Sequence, residues 1–179
     1  MNPNSIYIYL NNYVKRDLIN KYNYKNTCNI PSIKKVLINL GGKTSDLNSI
    51  SKYCICLEFL TGLECYITTS KKNNLSKKIR LGSPVGAVAY LKKKRIYEIL
   101  SYLLTELKPK VSNSNGRNFD VLNNQNSFSF SFSKQEFNSL ELFEFNRHIF
   151  KDIPEIKVTF VFNRNLSKLE QKAIRLLQL

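Results

Sequence analysis

The chain has 179 residues, enough for one domain to bury a real core without disulfides or metals. Its hydrophobic fraction of 42% and aromatic fraction of 12% exclude global disorder. Twenty-eight Lys and Arg against thirteen Asp and Glu leave a net charge of +15, a field that attracts polyanions and puts RNA, DNA or an anionic surface first among partners.

Residues 4–22 carry Ile6, Leu10, Tyr13, Val14, Leu18 and Tyr22 at spacings near three and four, which predicts an amphipathic N-terminal helix. Pro31 punctuates the chain. Residues 33–40 then alternate as a strand, with Val36, Ile38 and Leu40 on one face and Lys35, Leu37 and Asn39 on the other. Gly41 and Gly42 end it. A second helix is expected over 45–60, its buried stripe Leu47, Ile50, Cys54, Leu57 and Leu60, with Gly62 as C-terminal cap. Residues 66–69 are short and extended. The polar, basic loop SKKNNLSKK (70–78) leads into strands expected to flank Gly82 and Gly86.

The next helix rests on Ile96, Ile99, Leu100, Leu103, Leu104 and Leu107, and Pro109 closes it. Residues 112–126, SNSNGRNFDVLNNQN, form a long polar loop, of the length that is usually functional or mobile. The run SFSFSFS follows, then a strand on Ile156, Val158, Phe160 and Phe162. Ser167 with Glu170 is a capping box that starts a last helix on Leu169, Ala173, Leu176 and Leu177. No internal repeat or domain boundary interrupts residues 1–179. Helices interleaved with short alternating strands predict an α+β sandwich, an antiparallel sheet with helices packed on one face.

Little in the chain offers catalysis or metal binding. Cys28, Cys54, Cys56 and Cys65 lack the paired spacing of a metal site, and His148 is the one histidine, so the cysteines read as reduced structural thiols of an intracellular compartment. Asp120, Glu136, Glu141 and Glu144 form no recognisable acid-base pair. We therefore expect no enzyme, no metal and no cofactor. No stretch approaches the roughly 18 apolar residues of a membrane-spanning helix, no targeting segment is visible, and no membrane partner is expected. The vocabulary, rich in Asn, Lys, Ile, Tyr and Phe, is what AT-rich codons of a compact organellar or parasite-type genome supply.

Phe128, Phe130 and Phe132 either stack bases on an open sheet face or point into the core, with serines outward. No adjacent strand shows the basic-aromatic pattern of a stacking platform, so core packing is preferred. The basic runs go the other way. Lys71, Lys72, Lys77, Lys78 and Arg80 precede a Gly-x-Pro-x-Gly turn (Gly82, Pro84, Gly86), and Lys92, Lys93, Lys94 and Arg95 follow it. Nine like charges over 25 residues, with no acid among them, suit a phosphate backbone better than a solvated face. Pro84 and the two glycines would hold that turn rigid. Asn39, polar in an apolar strand, either satisfies a backbone neighbour or donates to RNA beside Lys35.

PSIKKVLINLGG (31–42), LEFLTG (57–62) and KIRLGSPVG (78–86), in this order, resemble the 5S-rRNA-binding protein family of the large ribosomal subunit, fifth in the bacterial series. The resemblance covers nearly the whole chain, and LELFEFNRHIF looks most like the mitochondrial members. It implies a curved antiparallel sheet and an architectural role in translation. The expected partners are 5S rRNA and adjoining large-subunit rRNA in the central protuberance, P-site tRNA, and a small-subunit head protein across an intersubunit bridge. By position, Asn39 matches the asparagine that contacts 5S rRNA, and Lys71, Lys72, Lys77, Lys78 and Arg80 match the loop that approaches tRNA. The rRNA-binding set is completed by Lys34, Lys35, Lys43, Tyr90, Lys92, Lys93, Lys94 and Arg95. Leu63, Tyr90 and Lys77 stand where the family commonly has Gln, Thr and an aromatic residue. A mitochondrial matrix ribosome, and an organelle-encoded chain, are the expected setting. The alternative is a free-standing RNA-binding regulator or accessory subunit using the same basic surface.

Overall fold

The computed structural model describes residues 3–22, 24–41, 45–103, 126–132, 150 and 153–165. A five-stranded, wholly antiparallel sheet organises them, and it is not closed into a barrel. Its strands are β1 (Ile33–Gly41), β2 (Tyr66–Thr69), β3 (Pro84–Leu91), β4 (Ser127–Phe132) and β5 (Ile156–Phe162), in the spatial order β2-β3-β1-β5-β4.

Side-chain alternation assigns the two faces. Val36, Ile38 and Leu40 point inward with Ala87, Ala89 and Leu91 on one side and Val158 and Phe160 on the other, all buried. Phe130 and Phe132 join them: Phe130 stacks on Phe160 at 5.6 Å and meets Phe132 edge-on at 4.9 Å. The SFSFSF strand therefore supplies core, as its alternation predicts. Ser129 points the other way and is buried all the same.

The helices cover the inward face, which gives the α+β sandwich. Helix α3 (Leu47–Thr61) packs against β3 and β1 and ends where expected: Gly62 takes φ 63° and its N–H reaches the Glu58 carbonyl at 2.8 Å. Its buried stripe differs from the expected one. Ile50, Leu57 and Leu60 are buried, but Tyr53 and Cys56 replace Leu47 and Cys54; Leu47 is 72% exposed. Apolar residues surround this helix, so packing on the sheet, not periodicity, selects the buried arc. Helix α4 (Lys94–Tyr102) buries Ile96, Ile99 and Leu100 as predicted; Leu104, Leu107 and Pro109 lie outside the described residues.

The N-terminal helix is three segments in succession: α1 (Pro3–Ile8), a π-helical stretch (Tyr9–Val14) and α2 (Lys15–Tyr22). The wider π turn departs from the 3.6-residue period on which the predicted stripe rests. Ile6 and Leu18 are buried, Leu10 and Val14 partly so, and Tyr13 is exposed rather than buried. Tyr7 locks α1 to α4 by meeting Tyr97 edge-on at 5.0 Å. The loop 112–125, His148, Asp120, Glu136, Glu141, Glu144 and the helix expected after Ser167 fall outside the described residues.

Gly86 is not part of a turn. Pro84 opens β3 and Gly86 lies inside it, opposite Gly41 and Thr68. A Cβ on Gly86 would drive into the Leu40 carbonyl oxygen of the neighbouring strand. Here glycine serves close backbone approach, whereas Gly82, with φ 78°, does serve a turn.

The thiols fall into distinct environments. Cys28 is exposed and Cys56 lies in the core, where burial raises its pKa strongly. Burial, a hydrogen bond with the Cys54 thiol and the Glu58 carboxylate push Cys65 up to about 12.

Gly86→Ala should destabilise the fold by about 2–3 kcal/mol through the clash with Leu40, read as a lower urea midpoint at unchanged slope. Raising the pH from 9 toward 12 should lower stability through Cys56 and Cys65, because unfolded thiols release protons that the folded chain retains. Urea titrations across that window should show a smaller loss in a Cys56→Ala, Cys65→Ser double variant.

Candidate nucleic-acid interface

The sequence from Cys65 to Tyr97 contains no Asp or Glu. It folds into β2, the loop 70–83, β3 and the start of α4. The predicted cations therefore sit in two groups, one at each end of β3, rather than around a single turn. Eight residues of strand separate them, about 27 Å.

The loop is built from its own backbone. Ser70 N–H donates to the Ser83 carbonyl and Gly82 N–H to the Ser70 carbonyl, both at 2.9 Å. Further out, Asn74 and Ile79 exchange a pair of N–H···O bonds at 2.8 and 3.0 Å. Asn74 Oδ1 accepts the Ser76 hydroxyl at 2.6 Å and Lys77 N–H at 3.3 Å, and Asn73 Oδ1 accepts Leu81 N–H. Of residues 70–83, all of them described, Ile79 alone is buried. The apolar anchor and the hydrogen-bonded rungs hold Lys71, Lys72, Lys77, Lys78 and Arg80 out, every one exposed. Leu75 at the tip is 93% exposed.

At the other end of β3, Lys92, Lys93, Lys94 and Arg95 are all exposed. Lys93 bends the chain into α4 with φ 53°, a conformation rare for a side-chain-bearing residue. Arg95 meets Glu98 at 2.7 Å, the one ion pair between described residues. Such an exposed i,i+3 pair is weak and exchangeable, at roughly 0.2–0.5 kcal/mol.

The outward face of the sheet joins the two ends. One row across it reads Tyr66, Val88, Asn39, Lys157, Ser131, and the next reads Tyr90, Leu37, Thr159, Ser129. Asn39 is exposed and Lys35 half-buried on this face, as the alternation predicts. Lys34 is exposed for a different reason. Ile33 pairs with Phe162 and Lys35 with Val161, so Lys34 is the extra residue of a bulge, turned out at the end of the sheet. Lys43 lies outside the described residues. Leu63 is half-buried against the core, next to the Thr61 hydroxyl that its own N–H reaches at 3.3 Å.

Sequence reasoning missed Tyr66 and Lys157. Lys157 was legible, since it stands between the inward Ile156 and Val158. Tyr66 gains meaning only from the register that sets it beside Tyr90, ring centroids 5.6 Å apart. Among the described residues, no group of three or more His, Cys, Asp or Glu is placed to hold a metal ion, and no helix is long and apolar enough to cross a membrane.

The chain is 36% identical over 112 residues to large ribosomal subunit protein uL5m of Reclinomonas americana, an alignment covering 62% of each chain. It is 30% identical over 164 residues to large ribosomal subunit protein uL5 of Thermotoga maritima, covering 90% of this chain and 85% of that one. With uL5 of Christiangramia forsetii it shares 29% identity over 167 residues, 92% of this chain and 88% of that one. No protein-family model matches the chain.

Proposed function

This chain belongs to the large ribosomal subunit protein uL5 family, and from that premise we propose that it is a structural constituent of the large ribosomal subunit, bound to ribosomal RNA and without catalytic activity. One observation carries the mode of binding: an acid-free segment holds exposed cations at both ends of β3. Phosphates meeting those cations release their condensed counterions, which supplies affinity without any reactive group. The outward face adds Asn39, Lys35 and Tyr90, groups able to contact base edges and sugars.

In finer detail, the outward face of β1 with Lys34, Lys35, Asn39, Lys43 and Tyr90, together with residues 92–95, contacts 5S rRNA and adjoining large rRNA in the central protuberance. The loop carrying Lys71, Lys72, Lys77, Lys78 and Arg80 reaches toward P-site tRNA, and a small-subunit head protein is met across an intersubunit bridge. The order of the sequence motifs supports this reading, and the hydrogen-bonded loop gives the cations a defined direction. The ribosome in question is mitochondrial and the chain organelle-encoded, a setting supported by the similarity to the Reclinomonas uL5m protein and by the AT-biased vocabulary.

Gradient sedimentation of the native protein, with sequencing of crosslinked RNA, tests the proposal. Co-sedimentation with mitochondrial large subunits and crosslinks from residues 34–43 to a 5S rRNA are expected. Crosslinks to large rRNA alone would remove the 5S contact, and free protein would favour a separate RNA-binding regulator. Recovery on cytosolic ribosomes only would overturn the mitochondrial placement. In vitro, neutralising about six phosphates should give a log-log salt slope near −5, and a slope near zero would exclude the phosphate contacts. Asn39→Ala should weaken RNA binding by about 1–3 kcal/mol; unchanged affinity would leave Asn39 a merely structural polar residue.

A further inference from the structure

At the β2 edge, the outward face of the sheet ends in two tyrosines. Tyr66 and Tyr90 have ring planes 65° apart and ring centroids at 5.6 Å, and they leave 60% and 42% of their surface in water. Between Tyr66 and Asn39 lies Val88, buried with 7% of its surface exposed, which gives the pair an apolar floor. Asn39 is two strand spacings from Tyr66, about 10 Å. Lys157 is the next residue along the same row.

The two rings meet edge-on as a diagonal cross-strand pair, a contact that stabilises the sheet, and both still keep much of their surface in water for a further contact. Two rings inclined at 65° form an open corner. A planar group entering it stacks on one ring and meets the edge of the other, the contacts aromatic groups prefer. Among the described residues, no outward position of the five strands is an acid, while Lys35 and Lys157 are cations. Stacking surface, amide and ammonium along neighbouring rows match the three parts of an unpaired nucleotide: base face, base edge and phosphate.

We infer that Tyr66 and Tyr90 form a stacking corner for an unpaired RNA base, so that this edge of the sheet distinguishes single-stranded from paired RNA. The inference rests on the reading of the chain as an rRNA-binding protein and deepens it: phosphate contacts hold the RNA, and the corner selects a place where a base is free.

The test uses the full chain and two probes: a short single-stranded oligoribonucleotide with one internal 2-aminopurine, and the same strand fully paired. Binding of the single strand should quench the 2-aminopurine. Tyr66→Ala and Tyr90→Ala should each abolish the quenching and weaken single-strand binding about 5- to 100-fold. For Tyr66→Ala, which removes no group of the phosphate-binding set, duplex affinity and its salt slope should stay unchanged. Tyr66→Phe and Tyr90→Phe keep the rings and should bind like the parent, and they serve as folded references should an alanine variant melt early. Alanine variants that quench and bind as the parent does would overturn the inference, as would phenylalanine variants as weak as the alanine ones, which would assign the effect to the hydroxyls. A parent chain that binds both probes with the expected salt slope but without quenching would overturn the corner alone. If neither probe binds, the RNA-binding reading falls with it.

Discussion

Strand β1 is hydrogen-bonded on both sides, to β3 and to β5, and its register decides what both faces of the protein are made of. Its inward residues, Val36, Ile38 and Leu40, sit at the centre of the core; its outward residues, Lys35, Leu37 and Asn39, sit at the centre of the candidate RNA surface. A slip of one residue would exchange the two sets completely. The approach of β1 to β3 at Gly41 and Gly86 is close enough that neither strand has room for a side chain there, so the two glycines pin the register sterically where hydrogen bonds alone would allow a shift. Core and surface thus depend on one alignment.

Charge follows from that framework rather than determining it. Nothing acidic stands between Cys65 and Tyr97, so nearby lysines repel one another without local relief. The fold accommodates this by distance: a strand separates the two groups, and a loop stitched by Asn73, Asn74, Ser70 and Ser83 keeps the first of them off the sheet. What remains between the cationic ends is an outward face of mixed chemistry, aromatic at the β2 edge and amide and ammonium nearer the centre.

Much of this is legible in the residues themselves. Period-two alternation identified β1, β4 and β5 and the direction of their side chains, including the inward phenylalanines of SFSFSF, because an alternating strand has only two ways to face. Helix α3 was harder: Leu47, Tyr53, Cys54, Ile55 and Phe59 surround it with apolar groups, and which of them are buried is settled by the sheet beneath. Gly86 resembles a turn glycine in sequence, yet its constraint comes from Leu40, 46 positions away, which no local pattern encodes. The split of the cations into two groups follows from the same point, since the run from Pro84 to Leu91 is a strand and not one arm of a tight turn. Tyr66 was invisible because its significance lies in a neighbour on another strand.

The separation of the two cationic groups has a consequence for how a polyanion is held. A partner long enough to reach both ends of β3 meets two modest attachment points on a stiff spacer. Once either end is engaged, the other finds its target at a high effective concentration set by the strand's fixed length. Each end can then let go and rebind while the other retains the partner, so durable attachment arises from contacts that are individually exchangeable. Such a tether lets one end yield to a passing ligand without releasing the whole.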